Sequence, residues 1–211
     1  HFRRTRRQGC INNPGWINHL KEELKYVLNL GFEGIFYDNP VWIRCYCKYC
    51  QEKFRKYIKE KIGKEYPIPL KSDWESEIWH WYTFFLCDSL RETIRELSAY
   101  AKSINPRVLI TMNTSPPTVH PPSTRIIPSF YVNDAVDWIF YEGLPLSRKE
   151  EKKIIWNIED YSYAQAEAGK KIATSVNYGR RGDHQEHFNL LKLGMAEALS
   201  YRISFINPGS C

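Results

Sequence analysis

The most informative segment of the chain is Gly34-Ile35-Phe36-Tyr37-Asp38-Asn39-Pro40-Val41-Trp42-Ile43-Arg44-Cys45-Tyr46-Cys47-Lys48-Tyr49-Cys50. Its first four residues are uncharged and mostly apolar, which is typical of a short strand buried on both faces. The strand ends in the polar pair Asp38-Asn39, and three cysteines fall within the last six residues of the stretch. The stretch therefore predicts a buried strand with an acidic end, followed by a loop that can ligate a metal.

The cysteines favour a metal site over disulfides. Structural Zn²⁺ takes four ligands in a tetrahedron, and the predicted ligands are the thiols of Cys10, Cys45, Cys47 and Cys50. A chain of 211 residues can bury a core without cross-links, and a Cys-X-Cys-X-X-Cys segment cannot pair internally without strain. Because thiolates would fill all four positions, the predicted Zn²⁺ is structural. We expect it to join the segment before the first helix to the loop after the Asp38 strand.

Composition and charge indicate a globular protein. Apolar residues make up 43% and charged residues 26% of the chain, and no apolar run reaches the roughly 18–20 residues of a membrane span. We therefore expect no membrane segment and a cytoplasmic location. Abundant Lys, Glu and Ile with only 2 Met is typical of thermophile proteins. Four arginines lie within residues 3–7, which favours a solvated terminus over nucleic-acid binding. The sequence leaves the oligomeric state open, a homo-oligomer included.

Helices and strands are predicted to alternate along the chain. The predicted helices cover residues 14–30, 51–62, 73–103, 147–168 and 183–201, and a Ser-X-X-Glu capping box at Ser147 opens the fourth. The predicted strands are Gly34–Asp38, Arg107–Asn113, Val136–Glu142, Lys171–Asn177 and Arg202–Asn207.

Five short apolar strands with helices between them predict a parallel sheet. Each predicted strand ends in a polar residue, and polar groups at the C-terminal ends of parallel strands mark the active-site face of a (β/α)₈ TIM barrel. An open doubly wound sheet obeys the same rule, but no Gly-X-Gly-X-X-Gly or Walker loop follows any strand. A complete barrel needs eight strands and about 250 residues. We therefore predict that residues 1–211 are a fragment, a single barrel-type catalytic domain that holds the last five strands and lacks the N-terminal ones.

Residues 38–55 resemble the family 42 glycoside hydrolases, which are β-galactosidases built on a (β/α)₈ barrel. In that family the fourth strand ends in Asp-Asn-Glu, and a Cys-X-Cys-X-X-Cys segment follows. A helix with a phenylalanine comes next, here Phe54, and an upstream cysteine completes a zinc site, as Cys10 would. The resemblance is specific from Cys10 to Phe54 and only barrel-like beyond. It implies a glycosidase with a carbohydrate substrate and a structural zinc.

One position departs from that family. Pro40 stands where the family has the glutamate that acts as general acid/base, and the loop to the cysteines is shorter. That acid is therefore not carried over. The strand is also similar to those of uncharacterised glycosidase-like barrels that share the cysteines, and to the fourth strand of α-fucosidases and α-galactosidases, which ends in a nucleophilic aspartate. The latter resemblance implies that Asp38 itself is the functional acid.

Glycoside hydrolysis needs two carboxyl groups on either side of one sugar, a nucleophile or base and an acid. Asp38 and Glu142 are the acids at predicted strand ends. We assign Asp38 as nucleophile and Glu142 as acid/base. The alternative for Asp38 is a helix cap or a partner of the zinc loop, and the alternative for Glu142 is an exposed residue before the turn at residues 143–145.

Sugar contacts are predicted from residue type at the strand ends and in the loops that follow. The predicted substrate-binding residues are three amide donors, two stacking aromatics and one loop cation: Asn39, Asn113, Asn177, Trp42, Tyr141 and Arg180. Each has a plainer interpretation, since Asn closes turns, most aromatics belong to the core and charged loop residues are solvated. The six histidines show no metal-ligand spacing, so we expect no catalytic metal.

Three functions remain open from the sequence. The first is a glycoside hydrolase that cleaves O-glycosidic bonds. The second is a non-catalytic carbohydrate-binding or scaffold barrel that kept the zinc loop and lost the acid at Pro40. The third is a zinc-stabilised nucleic-acid binder that uses the basic terminus. The first requires the carboxyls of Asp38 and Glu142 to face one cavity within about 10 Å of each other.

Overall fold

The computed structural model describes residues 9–41, 43–114, 131–142, 148–151, 153–169, 173–176 and 184–206. The chain divides into two compact units. The helical unit has described residues 9–33 and 43–107, and the sheet unit has residues 34–41 and the described residues between 108 and 206. The single-domain assignment of residues 1–211 stays a prediction. Among the residues described, no helix is long and apolar enough to cross a membrane.

The helical unit contains helices α1 (Pro14–Asn29), α2 (Lys48–Ile62) and α3 (Glu77–Ile104). Helix α1 begins as predicted, because the side chain of Asn13 accepts a hydrogen bond from the Gly15 N–H at 2.9 Å. It is followed by Gly31, whose φ of +91° is in the left-handed region that glycine favours. Its buried stripe of Ile17, Leu24 and Leu28 also agrees with the predicted amphipathic pattern.

Helices α2 and α3 begin at residues other than those predicted. Helix α2 starts at Lys48 rather than Gln51, which brings Cys50 into its first turn. It ends as predicted at Gly63, whose φ is +75°. Helix α3 is capped by Ser76, whose hydroxyl accepts from the Trp79 N–H at 3.4 Å. A capping hydroxyl marks the start of α3, whereas no side chain caps α2. Apolar periodicity therefore locates a helix but not its first residue.

Aromatic side chains form the core between α2 and α3. Phe54 of α2 is 0% exposed, and its ring lies edge-on to Tyr82 at 5.4 Å and to Phe85 at 5.3 Å between centroids. Edge-to-face pairs of this kind add about 0.5–1.5 kcal/mol each to the free energy of burying the rings. The first turn of α2 is thus attached to a well-packed helix pair.

The sheet unit contains seven strands and two helices in the described ranges. In chain order they are β1 (Gly34–Tyr37), β2 (Leu109–Thr114), β3 (Ile139–Glu142), β4 (Arg148–Glu150), β5 (Lys153–Ile155), α4 (Ile158–Ala168), β6 (Ala173–Val176), α5 (His184–Ser200) and β7 (Ile203–Ile206). Five strands form one parallel sheet in the order β1-β2-β3-β6-β7. The predicted parallel sheet is confirmed, with strands that are shorter than predicted.

The helix predicted from Ser147 to Gly169 is wrong in its first half. Strands β4 and β5 pair there as an antiparallel hairpin, with Arg148 opposite Ile155 and Glu151 at φ +53° in the turn. Strand β5 contains Ile154 and Ile155, and β-branched side chains lose rotamer freedom in a helix while fitting a strand. Helix α4 begins only at Ile158, where two acidic residues occupy its first turn.

The register of β1, β2 and β3 decides which side chains share a face of the sheet. Phe36 pairs with Thr111, and Asn113 pairs with Phe140. Since side chains alternate between faces along a strand, these four residues lie on one face. The rings of Phe36 and Phe140 meet edge-on there, 5.0 Å apart. The next positions on that face, beyond the two phenylalanines, are Asp38 and Glu142.

Candidate functional site

Three polar side chains meet at the C-terminal ends of β1, β2 and β3. Asp38 follows the last residue of β1, Asn113 is the fifth residue of β2, and Glu142 is the last residue of β3. Because the strands are parallel and adjacent, their carboxyl ends open at the same edge of the sheet. Asp38 is exposed, Glu142 is half-buried, and Asn113 is buried between them.

The Asn113 amide connects the two acids. Its Nδ2 donates to Glu142 Oε2 at 2.5 Å and lies 3.4 Å from Asp38 Oδ1. Its Oδ1 accepts from the backbone N–H of Asn39 at 2.6 Å. A backbone N–H can only donate, so this contact requires the amide oxygen to face Asn39 and leaves the NH₂ group for the carboxylates.

Asn39 completes the cluster through its backbone and its side chain. Its φ of +49° lies in the left-handed region, which Asn tolerates better than most residues. This turn aims its N–H at Asn113, while its Nδ2 donates to Asp38 Oδ1 at 2.9 Å. Asp38 is therefore oriented by two amide groups, one from its own loop and one from the neighbouring strand.

The shared contact limits the separation of the two acids. Asp38 Oδ1 and Glu142 Oε2 both lie within hydrogen-bonding reach of one nitrogen, so they are no farther apart than the sum of those two distances, 5.9 Å. This satisfies the limit of about 10 Å set from the sequence. Pairs about 5–5.5 Å apart suit a double displacement with retention, and inverting pairs need roughly 6.5–9.5 Å to admit a water molecule. The upper limit of 5.9 Å for this pair of oxygen atoms lies below the inverting range and is compatible with direct attack by one carboxylate.

The residues predicted to contact a sugar do not all lie at this cluster. Trp42, Asn177 and Arg180 lie outside the described residues. Asn39 and Asn113 belong to the cluster, but protein oxygens already accept from their amide groups. Tyr141 is 0% exposed, and its hydroxyl donates to the backbone oxygen of Ala164 at 2.9 Å.

The prediction that Tyr141 stacks on a sugar therefore needs correction. Tyr141 and Glu142 are adjacent in β3, and neighbouring residues of a strand point to opposite faces. If Glu142 serves the site, Tyr141 must face the helices. The aromatic residues that share the face of Glu142 are Phe140 and Phe36, and Phe36 is 45% exposed. Neither residue is among the predicted sugar contacts, although two-residue alternation along β1 and β3 identifies both.

The four predicted thiols form a second cluster, within the helical unit. The Sγ atoms of Cys10, Cys45, Cys47 and Cys50 all lie within 4.8 Å of one another. Cys10 Sγ is 3.5 Å from that of Cys47 and 3.4 Å from that of Cys50. The five cysteines described are free thiols. A tetrahedron with Zn–S bonds of about 2.3 Å has sulfur atoms about 3.8 Å apart, so this donor set fits a tetrahedral thiophilic cation such as Zn²⁺.

Local structure brings these thiols together from two segments of the chain. Cys10 lies in a turn before α1, where the Asn13 N–H donates to its backbone oxygen at 2.9 Å. Cys47 is the N-cap of α2, and Cys50 lies in the first turn of that helix. The guanidinium of Arg44 lies 4.5 Å from the centre of the Trp79 ring, a cation–π contact that fixes the loop before the cysteines.

Burial and the helix start give the thiols different pKa values. Burial raises the pKa of the Cys10 thiol to about 11 and raises that of Cys50 further above its usual range. Burial also acts to raise the pKa of Cys47, but the backbone N–H of Cys50 and the thiols of Cys45 and Cys10 outweigh it and lower the pKa to about 7. A bound cation supplies the positive charge that favours the thiolate form of all four.

Comparison with known proteins shows a fold similarity without a family assignment. No family model and no curated protein match the chain. A β-galactosidase from Bacillus circulans sp. alkalophilus superposes with a TM-score of 0.67 at 16% identity, over 98% of this chain and 37% of that one. Gan42B, a GH42 β-galactosidase, matches with a TM-score of 0.63 at 13% identity, over 94% and 34%. The catalytic domain of β-amylase from Paenibacillus polymyxa matches with a TM-score of 0.64 at 10% identity, over 92% and 62%.

These similarities concern the fold alone. The chain spans between about a third and three fifths of the length of the structures it matches. It therefore has a glycosidase-like fold over nearly its whole described length, and the activities of those proteins remain theirs.

Proposed function

We propose that this chain carries the catalytic carboxylates of a (β/α)₈-barrel glycoside hydrolase that cleaves O-glycosidic bonds. The observation that carries the proposal is the amide of Asn113, which contacts the side chains of both Asp38 and Glu142 and keeps their oxygens within 5.9 Å. The fold similarity to β-galactosidases and β-amylase supports a carbohydrate substrate. In this proposal the five parallel strands are the last five of the eight barrel strands.

The two acids have complementary roles in a double displacement. Asp38 attacks the anomeric carbon while Glu142 gives its proton to the departing glycosidic oxygen, so that a glycosyl ester forms on Asp38. Glu142, now a carboxylate, then takes a proton from water as the water oxygen attacks the anomeric carbon and Asp38 leaves. The same two carboxylates, at the same distance from each other, serve both steps. The product keeps the anomeric configuration of the substrate.

The thiol cluster has a structural role in the same proposal. Cys10, Cys45, Cys47 and Cys50 would hold one Zn²⁺ with all four positions occupied, which leaves no site for water or substrate on the metal. When bound, the ion supplies a cross-link between the segment before α1 and the first turn of α2. No step of the hydrolysis uses it.

The experiment that tests the proposal compares aryl glycosides whose leaving groups differ in basicity. A panel of nitrophenyl glycosides first identifies the sugar that the purified chain hydrolyses. Asp38→Ala is expected to abolish turnover of every leaving group. Glu142→Ala is expected to slow poor leaving groups by about 10²–10⁴-fold but to spare formation of the glycosyl ester from dinitrophenyl glycosides, which need no proton. Glu23→Ala, at an exposed acid on α1, is the matched control.

Added azide and product stereochemistry provide the second readout. Azide should restore the turnover of dinitrophenyl glycoside by both variants. The product from Asp38→Ala should be a glycosyl azide of inverted configuration, and the product from Glu142→Ala should be one of retained configuration. If Asp38→Ala hydrolyses the panel as well as the Glu23→Ala control does, the assignment of the nucleophile is wrong.

A non-catalytic carbohydrate-binding barrel is the second candidate, and one observation favours it. Pro40 stands where the resembled family has its acid/base glutamate. Saturable binding of sugars by the unmodified chain, with no turnover of any glycoside and no effect of Asp38→Ala on affinity, would favour this function over hydrolysis.

A further inference from the structure

Asn12 contacts the thiol cluster through its side-chain amide. Its Nδ2 donates to Cys50 Sγ at 3.4 Å, and its Oδ1 accepts from Lys53 Nζ at 2.9 Å. An ammonium group has only donors, so the amide oxygen must face Lys53 and the NH₂ group must face the sulfur. The direction of the hydrogen bond to Cys50 therefore follows from the contact with Lys53.

Lys53 is itself held in place by Glu92. Lys53 lies one helical turn after Cys50 on α2, and its Nζ contacts Glu92 Oε2 on α3 at 2.7 Å. The side chains are 40% and 61% exposed, and an ion pair so exposed contributes little to stability by itself. Its effect is to hold the ammonium group against Asn12.

We propose that Asn12 is a positioning residue of the metal site, which donates a hydrogen bond to the Cys50 thiolate and is oriented for this by Lys53 and Glu92. The inference rests on the proposed zinc site and goes beyond it, since these three residues are not ligands. Four thiolates around one divalent cation carry a net charge of −2. A donor to one of the sulfur atoms disperses that charge and fixes the direction of the sulfur lone pairs, which favours the metal-bound state.

The experiment measures the affinity of the whole chain for Zn²⁺ by competition with a chromophoric chelator. Asn12→Leu keeps the size of the side chain and removes the donor, and we expect it to weaken Zn²⁺ binding by about 10–100-fold, as is usual for partners of metal ligands. Lys53→Met should weaken binding by a smaller factor, because the amide remains but can turn. Lys53→Arg should restore part of that loss.

The matched control is Lys21→Met. Lys21 makes an ion pair of the same kind with Glu96 of α3 at 2.6 Å, and it contacts no thiol. Its Zn²⁺ affinity should equal that of the unmodified chain. Co²⁺ substitution gives a second readout, since the near-ultraviolet charge-transfer band counts thiolate ligands. Asn12→Leu should keep the intensity of a four-thiolate band at saturation while requiring more Co²⁺ to reach it.

The possible results separate the two proposals. If the unmodified chain binds neither ion, both the zinc site and the role of Asn12 are overturned. If it binds Zn²⁺ and Asn12→Leu binds it as tightly, the site stands and Asn12 is only a packing residue. If Asn12→Leu fails to fold, the comparison of Lys53→Met with Lys21→Met decides, because both replace an ammonium group in a Lys–Glu ion pair with α3. Equal affinities in that pair contradict the proposal.

Discussion

The two clusters of this protein are assembled in opposite ways. The thiol cluster draws three of its four members from residues 45–50, which are the end of a loop and the first turn of α2. The carboxylate cluster joins Asp38 to Glu142 through Asn113, and each comes from a different strand. The thiols face one another and Cys50 is buried, whereas Asp38 is exposed.

In the proposed function the thiol cluster stabilises the fold and the carboxylate cluster is the reactive site. A cluster whose donors converge on a single point can enclose an ion but offers nothing to a substrate. A cluster in which one buried amide holds two accessible carboxylates has been organised by the protein and still exposes its reactive atoms. Substitutions in the thiol cluster should therefore lower stability more than activity. Substitutions in the carboxylate cluster should lower activity more than stability.

Loss of a thiol should have the largest effect on stability. Cys50→Ala removes one of four ligands, and since structural zinc sites contribute on the order of 10 kcal/mol to folding, we expect a melting temperature at least 10 °C lower and no retained Zn²⁺. Thermal melts with and without a chelator measure this. Cys87→Ala, at a buried cysteine outside the cluster, is the control and should keep both its zinc and its response to chelator. Equal responses of the two variants would contradict the zinc site.

Replacing one phenylalanine in each unit by alanine should have intermediate effects on stability. Phe54→Ala empties a fully buried position beneath the thiol site and should cost about 3–5 kcal/mol of unfolding free energy. Phe36→Ala, at a ring that is 45% exposed on the sheet face of the acids, should cost about 1 kcal/mol and change sugar affinity more than stability. Urea unfolding of both variants measures the contrast. Costs of similar size would mean that the Phe36 face is covered in solution.

Asn113→Asp should have a smaller effect on stability than Cys50→Ala or Phe54→Ala, and it should have the most informative pH dependence. The change adds a third carboxylate between two others, and like charges raise the pKa of such a group in the folded state. The folded state then binds more protons than the unfolded state, so the penalty disappears as pH falls. We expect a cost of about 1–3 kcal/mol at pH 7 that shrinks toward pH 4. Chemical denaturation across that range measures it, and a cost independent of pH would mean that the acids are farther apart.

Sequence reasoning succeeded where a single local rule applied. The thiol set followed from the number and spacing of the cysteines, and the resemblance implied the same four residues. The parallel sheet followed from short apolar strands between helices, and the places of Asp38 and Glu142 followed from the rule that parallel strands end at one edge. It failed at residues 148–150 and 153–155, where a capping box predicted a helix and strands β4 and β5 are present instead. It also failed at Tyr141, where chemical type was considered without the alternation of the strand.

The sequence alone predicted the four members of the thiol cluster, the parallel sheet and the acids at the strand ends, because spacing and apolar pattern act over a few residues. The tertiary structure was needed to see that Asn113 connects the acids, that Tyr141 faces the core and that Asn12 turns its amide toward Cys50. Each of these depends on contacts between distant segments, such as Asn39 N–H with Asn113 or Lys53 with Asn12. The direction of an amide is set by the donors and acceptors around it, and no local pattern records which of them will be there.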